Sequence, residues 1–310
     1  MTLREIDIAQ VADFRIGSAE DAKAKTGCTV VLAPQGAVCG VDIRGGSPVT
    51  ADTAALDPVM HRQRVHACLL SGGSSFGLAA SDGVRQYLEA RGIGRDVGVT
   101  RVPNVVSAVL FDLKVGRADV RPDAAMGVAA CEAAFGDMPF RAGNFGAGCG
   151  ATLGKARGMA HAMQGGQAAA AFEYGDLRVG ALVAVNCVGD IVRDGAILAG
   201  TLGDEGFADS EQILLAQYAQ SRDFFSDVEA GNTVLACVLT NARLTKAQCT
   251  KIAGHGQNGI ARAIRPAHSE FDGDTVFALA SGAVPASMDA VGLLAARAVE
   301  AAIWQLTMNN

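Results

Sequence analysis

The sequence predicts a single layered domain of the α/β or α+β class. Short apolar runs that resemble strands alternate with longer helical patterns along the chain. Several runs are apolar at nearly every position, which favours strands buried on both faces of a layered core. No Pro/Ser-rich or charged linker divides the 310 residues. One domain over residues 1–310 is therefore expected, although the length alone would suggest about two.

Seven apolar runs are predicted strands and three longer patterns are predicted helices. The strands cover residues 28–33, 37–43, 65–70, 105–113, 181–188, 232–240 and 275–280. The first helix covers residues 76–92 and ends at a glycine. Thr245 and Gln248 have the spacing of a capping box, which begins a second helix running toward Arg265. The third helix, residues 285–306, is Ala-rich and apolar on all sides, so we expect it to be buried.

Composition and charge exclude several functional classes. The formal net charge of −6, without a Lys/Arg run, predicts neither nucleic-acid binding nor attachment to an anionic membrane. No apolar run approaches the roughly 18 residues of a membrane span, and the N-terminal MTLREIDIAQ lacks the pattern of a signal peptide. The eight cysteines lack C-x-x-C spacing and lie mostly in apolar runs. This usage predicts buried thiols, a cytoplasmic protein and no metal site.

Glycine is in excess, at 38 of 310 residues, and one glycine-rich segment matches a catalytic motif. Gly73-Ser74-Ser75-Phe76-Gly77 fits the G-x-S-x-G nucleophile elbow, between a predicted strand and a predicted helix. On this interpretation Ser75 is the nucleophile, with a later Asp and with His255 or His268 as partners. The alternative is a tight turn in which glycine permits close approach of backbones.

A second glycine-rich segment, GNFGAGCGATLGK, ends at Lys155. Its glycines fit neither the G-x-G-x-x-G fingerprint nor the P-loop, which needs four residues between its glycines and Ser or Thr after the lysine. A loop remains whose glycines bring Lys155 close to a backbone or a ligand. Lys155 is therefore a candidate site residue, and the alternative is a solvated surface lysine.

Thr233 follows Gly231 and Asn232 at the start of a predicted strand. One interpretation is an ordinary Gly-Asn turn that enters the strand. The other is a self-processing junction. A threonine hydroxyl is a poor nucleophile without an adjacent base, whereas an N-terminal threonine carries its own base, the α-amine, with a pKa of about 8. Chain cleavage between Asn232 and Thr233 would create that group.

Asp272 and Asp274 flank a glycine just before the last predicted strand. Such a segment is ordinarily a turn, and it does not fit an EF-hand loop, which needs further ligands. Two carboxylates at the entrance of a strand could equally orient a nucleophile and hold a proton.

Four long blocks in order resemble one known family, the self-processing L-aminopeptidase/D-amidase-esterase family that includes the nylon-oligomer endo-hydrolases. The blocks are LLSGGSSFGLAASDGVRQYLEARG, GNFGAGCGATLGK, GNTVLACVLTNARLTKAQ and ARAIRPAHSEFDGDTVFALASG. The resemblance implies an α+β fold, a four-layer αββα sandwich similar to the N-terminal-nucleophile hydrolases but with different strand connectivity. It also implies self-cleavage into residues 1–232 and 233–310, which stay associated.

The resemblance also implies roles for five polar residues. Thr233 matches the Ser or Thr that becomes the new N-terminus, and threonine there is closer to the nylon-oligomer branch. Asp272 and Asp274 match the pair that orients the nucleophile. Lys155 matches the lysine after the glycine loop, where it would supply positive charge or form an ion pair with an aspartate. Asn186 matches an asparagine that faces the substrate carbonyl.

Further positions are implied as substrate-binding. Phe111 stands where the serine aminopeptidases have Tyr, so the handling of a substrate amine in that branch is not expected here. Gly72, Gly73 and Gly148 are expected to line the site with backbone. With these roles assigned, Ser75 loses its role as nucleophile.

The expected activity is hydrolysis of an amide, peptide or ester bond in a small substrate, without cofactor or metal. The resemblance implies a homotetramer of processed units. Two other readings stay open. One is acyl transfer of the kind carried out by ornithine acetyltransferases, which use a processed N-terminal threonine on a related fold. The other is a non-enzymatic protein that binds a small molecule.

Overall fold

A computed structural model of the protein describes residues 1–12, 14–136, 138–220 and 231–308. Its helices are α1 (Ala80–Ala90), α2 (Ala124–Phe135), α3 (Ser210–Gln220), α4 (Lys246–Ala263) and α5 (Met288–Gln305). Its strands are β1 (Arg4–Ile6), β2 (Arg15–Asp21), β3 (Thr26–Ile43), β4 (Thr50–Ala51), β5 (Val65–Ser71), β6 (Arg95–Asp96), β7 (Arg101–Val102), β8 (Val105–Val109), β9 (Thr152–Leu153), β10 (Met163–Gln164), β11 (Gly166–Tyr174), β12 (Leu177–Asn186), β13 (Asp190–Arg193), β14 (Ala196–Ala199), β15 (Leu202–Gly203), β16 (Gly206–Phe207), β17 (Thr233–Ala242), β18 (Ile264–Arg265) and β19 (Thr275–Val284).

Ten of these strands form one hydrogen-bonded series that makes two sheets. The first sheet has the order β1-β11-β12-β17-β19-β3, and the second has the order β2-β3-β5-β8-β4. Strand β3 belongs to both sheets. Its residues 26–32 pair with β2 and its residues 38–43 pair with β19. Between these halves the register with β5 shifts, and Gly36 has a φ of +75°, so the chain crosses from one sheet to the other there.

Three hydrophobic clusters separate four layers. Successive side chains of a strand point to opposite faces, so Val183 and Leu182 on β12 enter different clusters. Val183 lies in the cluster between the first sheet and helices α4 and α5. Leu182 and Phe277 lie in the cluster between the two sheets. Leu69 and Val84 lie in the cluster between the second sheet and helices α1 and α2. The predicted four-layer αββα sandwich is confirmed.

All seven predicted strands occur, and the first two are halves of the single strand β3. The predicted capping box is confirmed, because the Thr245 side chain accepts from the Gln248 N–H and the Gln248 side chain accepts from the Thr245 N–H. Helix α2 and strands β2 and β11 are among the elements that the sequence did not predict. Their runs of Ala, Gly and charged residues carry little hydrophobic periodicity.

Two further expectations concern burial. Helix α5 is not buried on all sides, because it forms an outer layer and Leu293 on its outward face is 62% exposed. All eight cysteines are buried and free, as predicted. Among the described residues, no helix combines the length and the apolar character that crossing a membrane would require.

Lys246 offers a test of how the second sheet is tied to α4. Its buried ammonium donates to the carbonyl oxygens of Ala55, Asp57 and Met60, at 3.0, 2.6 and 3.0 Å. Lys246→Met would leave these acceptors without that donor, so we expect a loss of about 1–3 kcal/mol in the free energy of unfolding. Thermal or denaturant unfolding measures it. The exposed Lys251→Met on the same helix is the control, and equal stability of the two variants would contradict the prediction.

Candidate active site

Strand register brings the candidate residues to one end of the first sheet. Thr233 is the first residue of β17 and pairs with Asn186, the last residue of β12. Asp272 and Asp274 directly precede β19, which runs parallel to β17, and Asn232 forms a β-bridge with Asp272. Parallel neighbours begin at the same edge of a sheet, so residues far apart in sequence meet there.

The carbonyl oxygen of Asn232 receives two donors. The Thr233 hydroxyl donates to it, and the backbone N–H of Gly273 donates to it over 2.9 Å. A Cβ added to Gly273 would lie 2.8 Å from Thr233 Oγ1, so only glycine leaves room for the hydroxyl. Thr233 is 4% exposed. The candidate nucleophile, a carbonyl group and an N–H donor therefore lie together, shielded from bulk water.

Asp274 fixes the start of β17. One carboxylate oxygen accepts from the N–H of Val234 over 2.7 Å. The other accepts from the backbone N–H of His268 over 3.1 Å and lies 2.7 Å from Nδ1 of its ring. The carboxylate, which is wholly buried, thus connects the residue after Thr233 to the loop that precedes β19. Its position supports the predicted orienting role, since it holds the backbone next to Thr233, the candidate nucleophile.

Asp272 differs from Asp274 in having one oxygen without a hydrogen bond. Oδ2 accepts from the N–H and the hydroxyl of Ser269, at 3.0 and 2.5 Å. Oδ1 is buried and has no hydrogen-bond partner among the described residues. Burial, and then the nearby charge of Asp274, raise the pKa of Asp272 to about 7. Asp272 is therefore a carboxyl group able to exchange a proton near neutral pH.

Asn186 is completely buried and uses both ends of its amide. Oδ1 accepts from the N–H of Thr152 over 2.9 Å and from Lys155 Nζ over 3.1 Å. Nδ2 donates to the carbonyl oxygens of Phe111 and Gly231, both over 2.9 Å. In this uncleaved chain Asn186 thus faces the carbonyl group one residue before Asn232, rather than that of Asn232 itself.

Lys155 is buried beside Asn186, so it is not a solvated surface lysine. Its ammonium lies 3.0 Å from the Asn186 carbonyl oxygen and 3.4 Å from the Gly231 carbonyl oxygen. Its charge also lowers the pKa of Asp272, against the larger opposite effect of burial. The lysine therefore acts on the carbonyl groups and on the acid pair of the same site.

A small cleft opens beside these groups. Phe111 forms part of its wall, and the ring packs so closely on Gly231 that a Cβ there would lie 2.5 Å from Cδ1 of the ring. The described residues hold no group of three or more His, Cys, Asp or Glu side chains placed to bind a metal ion. The cleft is lined by Phe111, Lys114, Val115, Thr152, Lys155, Met159, Gly231 and Asn232.

The three glycines expected to line the site take packing positions instead. Gly73 has a φ of +79°, and its N–H donates to the Asp112 carboxylate over 2.7 Å. A Cβ on Gly72 would lie 2.0 Å from the same carboxylate, and a Cβ on Gly148 would lie 2.1 Å from the backbone nitrogen of Gln167. None of the three is among the described residues that line the cleft. They permit close backbone packing around the residues that do.

Ser75 has the strand-turn-helix context of an elbow but none of its partners. It is exposed in a 3₁₀ turn, Ser74–Ala79, between β5 and α1. His268 is held by Asp274, and His255 lies on α4 against Gly292 of α5. Among the described residues, no hydrogen bond joins Ser75 to a histidine. The arrangement favours the turn interpretation of G-x-S-x-G.

Four residues hold the site in place in roles that the sequence did not predict. Asp112 anchors the turn at Gly73, and Thr152 donates to Asn186. Ser269 and His268 hold the two aspartates. His268 and Ser269 lie a few residues before the acid pair, and Asp112 follows Phe111, but proximity in sequence does not show which atoms meet.

Known proteins are similar to this chain in both sequence and fold. The sequence profile of peptidase family S58 matches residues 7–309. An uncharacterised aminopeptidase of Mycobacterium leprae is 45% identical over 278 residues, which cover 85% of this chain and 73% of that protein. A 6-aminohexanoate-oligomer endohydrolase of Paenarthrobacter ureafaciens is 34% identical over 266 residues, which cover 85% of this chain and 72% of that protein.

A solved structure extends the similarity to the whole fold. The L-aminopeptidase D-Ala-esterase/amidase of Ochrobactrum anthropi matches with a TM-score of 0.71 and 17% identity, over 97% of this chain and 85% of that chain. It is described as a new variant of the Ntn hydrolase fold. The expected relation to N-terminal-nucleophile hydrolases is therefore confirmed for the fold, and the family resemblance is confirmed by sequence.

The raised pKa of Asp272 predicts a pH-dependent stability. The folded chain binds this proton more tightly than the unfolded chain, whose carboxyl has the ordinary pKa of 3.8. The associated stabilisation is complete below pH 3.8 and is lost as the pH rises through about 7. Asp272→Asn removes this loss, so its melting temperature should fall less than that of the wild type between pH 5 and pH 8.

The control for this measurement is Asp204→Asn, because the Asp204 carboxylate is 90% exposed. The control should follow the wild type at both pH values. If Asp272→Asn and the wild type change equally between pH 5 and pH 8, Asp272 does not hold a proton near neutral pH.

Proposed function

The chain belongs to peptidase family S58 and is an amide-bond hydrolase, and we propose that its nucleophile is Thr233, released by self-cleavage after Asn232. The observation that carries the proposal is the contact between the Thr233 hydroxyl and the Asn232 carbonyl oxygen, which also accepts from Gly273 N–H. A nucleophile next to a carbonyl group that already has a donor is the arrangement that acyl transfer requires.

Self-cleavage proceeds by an N-to-O acyl shift. Thr233 Oγ1 attacks the carbonyl carbon of Asn232, and the bond from that carbon to the Thr233 nitrogen breaks. The hydroxyl proton ends on the nitrogen, which becomes the new α-amine, and an ester joins Asn232 to Oγ1. Water then hydrolyses the ester and leaves a carboxylate on Asn232 and a free hydroxyl on Thr233. The products are residues 1–232 and 233–310 of the same domain.

Gly273 stabilises the charge that develops during the attack. Its N–H already lies 2.9 Å from the oxygen that becomes the oxyanion. A donor of this kind contributes about 10²–10³-fold to the rate in other acyl-transfer enzymes. The missing side chain of Gly273 is equally important, because a Cβ would displace the attacking hydroxyl.

Asp274 and Asp272 have different roles in self-cleavage. Asp274 holds the Val234 N–H and thereby the backbone beside the nucleophile. Asp272, whose pKa is raised to about 7, serves the proton transfer from hydroxyl to nitrogen before a free amine exists. In the processed enzyme the Thr233 amine takes over as general base, since an α-amine has a pKa of about 8.

The processed enzyme repeats the same chemistry on a substrate. Thr233 Oγ1 attacks an amide or ester carbonyl, the leaving amine or alcohol takes a proton, and water hydrolyses the acyl-enzyme. Membership of a peptidase family supports water as the acceptor, in preference to the acceptor amine of the acyltransferase alternative. Assembly into a homotetramer of processed units stays a prediction, which the solution mass of the purified protein tests.

The nucleophile is tested by paired substitutions. The wild type should separate into two fragments on a denaturing gel, with Thr233 as the N-terminal residue of the smaller one. Thr233→Ala should remain a single chain of 31.7 kDa, with hydrolysis of an amide substrate reduced by at least about 10³-fold, because both steps use the same hydroxyl. N-terminal sequencing and initial rates measure the two effects.

Ser75→Ala is the matched control, since it removes the other candidate hydroxyl. It should be processed and should hydrolyse the substrate like the wild type. Activity that survives in Thr233→Ala and disappears in Ser75→Ala would instead identify the exposed serine as the nucleophile.

A further inference from the structure

The two residues before the proposed cleavage bond, Gly231 and Asn232, lie in close contact with other groups of the protein. The Gly231 carbonyl oxygen accepts from Asn186 Nδ2 over 2.9 Å and lies 3.4 Å from Lys155 Nζ. The Phe111 ring packs against the Gly231 α-carbon. Asn232 follows, 2% exposed, with its carbonyl group at Thr233. Both carbonyl groups and the α-carbon of Gly231 therefore have defined neighbours on the protein.

Self-cleavage and substrate hydrolysis share one covalent intermediate, an ester between Thr233 Oγ1 and an acyl carbon. In self-cleavage the acyl group is the chain that ends in Gly231 and Asn232. We infer that the mature enzyme binds the acyl part of its substrate where the precursor binds Gly231 and Asn232. This inference rests on the proposed function, because the site empties only when the ester is hydrolysed and the new carboxyl end leaves.

The space around the Gly231 α-carbon favours a carbon atom that carries no side chain. A Cβ there would lie 2.5 Å from Cδ1 and 2.7 Å from Cγ of the Phe111 ring, far inside van der Waals contact. Gly231 also has a φ of +117°, in the region that L-residues with side chains rarely adopt. The ring and the backbone conformation therefore both favour a CH₂ group, as in glycine, at the second residue before the scissile bond.

The carbonyl group that follows this carbon is the second recognition element. Asn186 Nδ2 would bind it as it binds the Gly231 carbonyl, and Lys155 lies on the same side. A free α-amine in place of the upstream amide would offer Asn186 no acceptor and would lie near the Lys155 ammonium. The described residues that line the cleft include Lys114 and Lys155 but no carboxylate. The substrate class is thus an oligoamide cleaved internally, with a glycine-like unit before the acyl residue.

Three chromogenic amides test this inference on the processed wild type. They are the p-nitroanilides of acetyl-Gly-Asn, acetyl-Ala-Asn and unblocked Asn. We expect kcat/KM to be at least about tenfold lower for acetyl-Ala-Asn, because of the added methyl group, and for unblocked Asn, because the upstream carbonyl is missing. Equal rates for the Gly and Ala compounds, a faster reaction with unblocked Asn, or no hydrolysis of acetyl-Gly-Asn would overturn the inference.

Phe111→Ala tests the role of the ring. It should raise the acetyl-Ala-Asn to acetyl-Gly-Asn ratio of kcat/KM toward one, a change in selectivity that general loss of structure would not produce. Phe76→Ala is the control, because that ring is 52% exposed, packs under Arg121 and is not among the described residues that line the cleft, and it should keep the wild-type ratio. If Phe111→Ala is not processed, the wild-type substrate series decides the question alone.

Failure of this inference can be told apart from failure of the proposed function. A chain that is cleaved before Thr233 and hydrolyses amides without the expected selectivity keeps the proposed function and loses only the acyl-site assignment. A chain whose activity does not depend on Thr233 loses both, and the denaturing gel distinguishes the two cases.

Discussion

The hydrogen-bond register between β12 and β17 is the constraint on which the site depends. It sets Thr233 opposite Asn186 at the sheet edge, and the parallel pairing with β19 adds the acid pair beside them. A slip of one residue would turn every side chain of β17 to the other face. Leu235 would leave the cluster between the sheets, so the core that stabilises the fold also fixes the geometry of Thr233, the proposed nucleophile.

Because the sheet edge is buried, its polar groups must satisfy one another. Both ends of the Asn186 amide form hydrogen bonds, one with the N–H of Thr152 and one with the Gly231 carbonyl oxygen. The Lys155 ammonium donates to the Asn186 carbonyl oxygen. Among the described residues, the buried atoms of the site without a hydrogen-bond partner include Asp272 Oδ1 and His268 Nε2. Burial, and then the nearby charge of Asp274, raise the pKa of Asp272. The folded state therefore loses stability as the pH rises through about 7, so the group suited to proton transfer is also one that costs stability.

The sequence predicted some residues of this site and failed to predict others. Thr233, Asp272 and Asp274 stand at strand entrances, where hydrophobic runs mark the strand and a turn precedes it. The glycines were predicted to line the site, and in the structure Gly72 packs against the Asp112 carboxylate. In sequence, a glycine that packs against a carboxylate looks like one that faces a substrate. Ser269 carried no signal, and His268 was considered only as a partner of Ser75, because the role of each depends on which carboxylate oxygen it reaches.

By itself, the sequence determined the seven apolar runs that form strands, the capping box at Thr245 and the burial of the cysteines, because these depend on local periodicity and composition. The four ordered blocks pointed to the family through resemblance to known sequences. Only the tertiary structure decided that β3 serves two sheets, that Gly273 rather than Asn186 donates to the Asn232 carbonyl, and that Phe111 closes on Gly231. The physical reason is that such contacts join residues far apart in sequence, and their distances are fixed by register and packing, which no local pattern encodes.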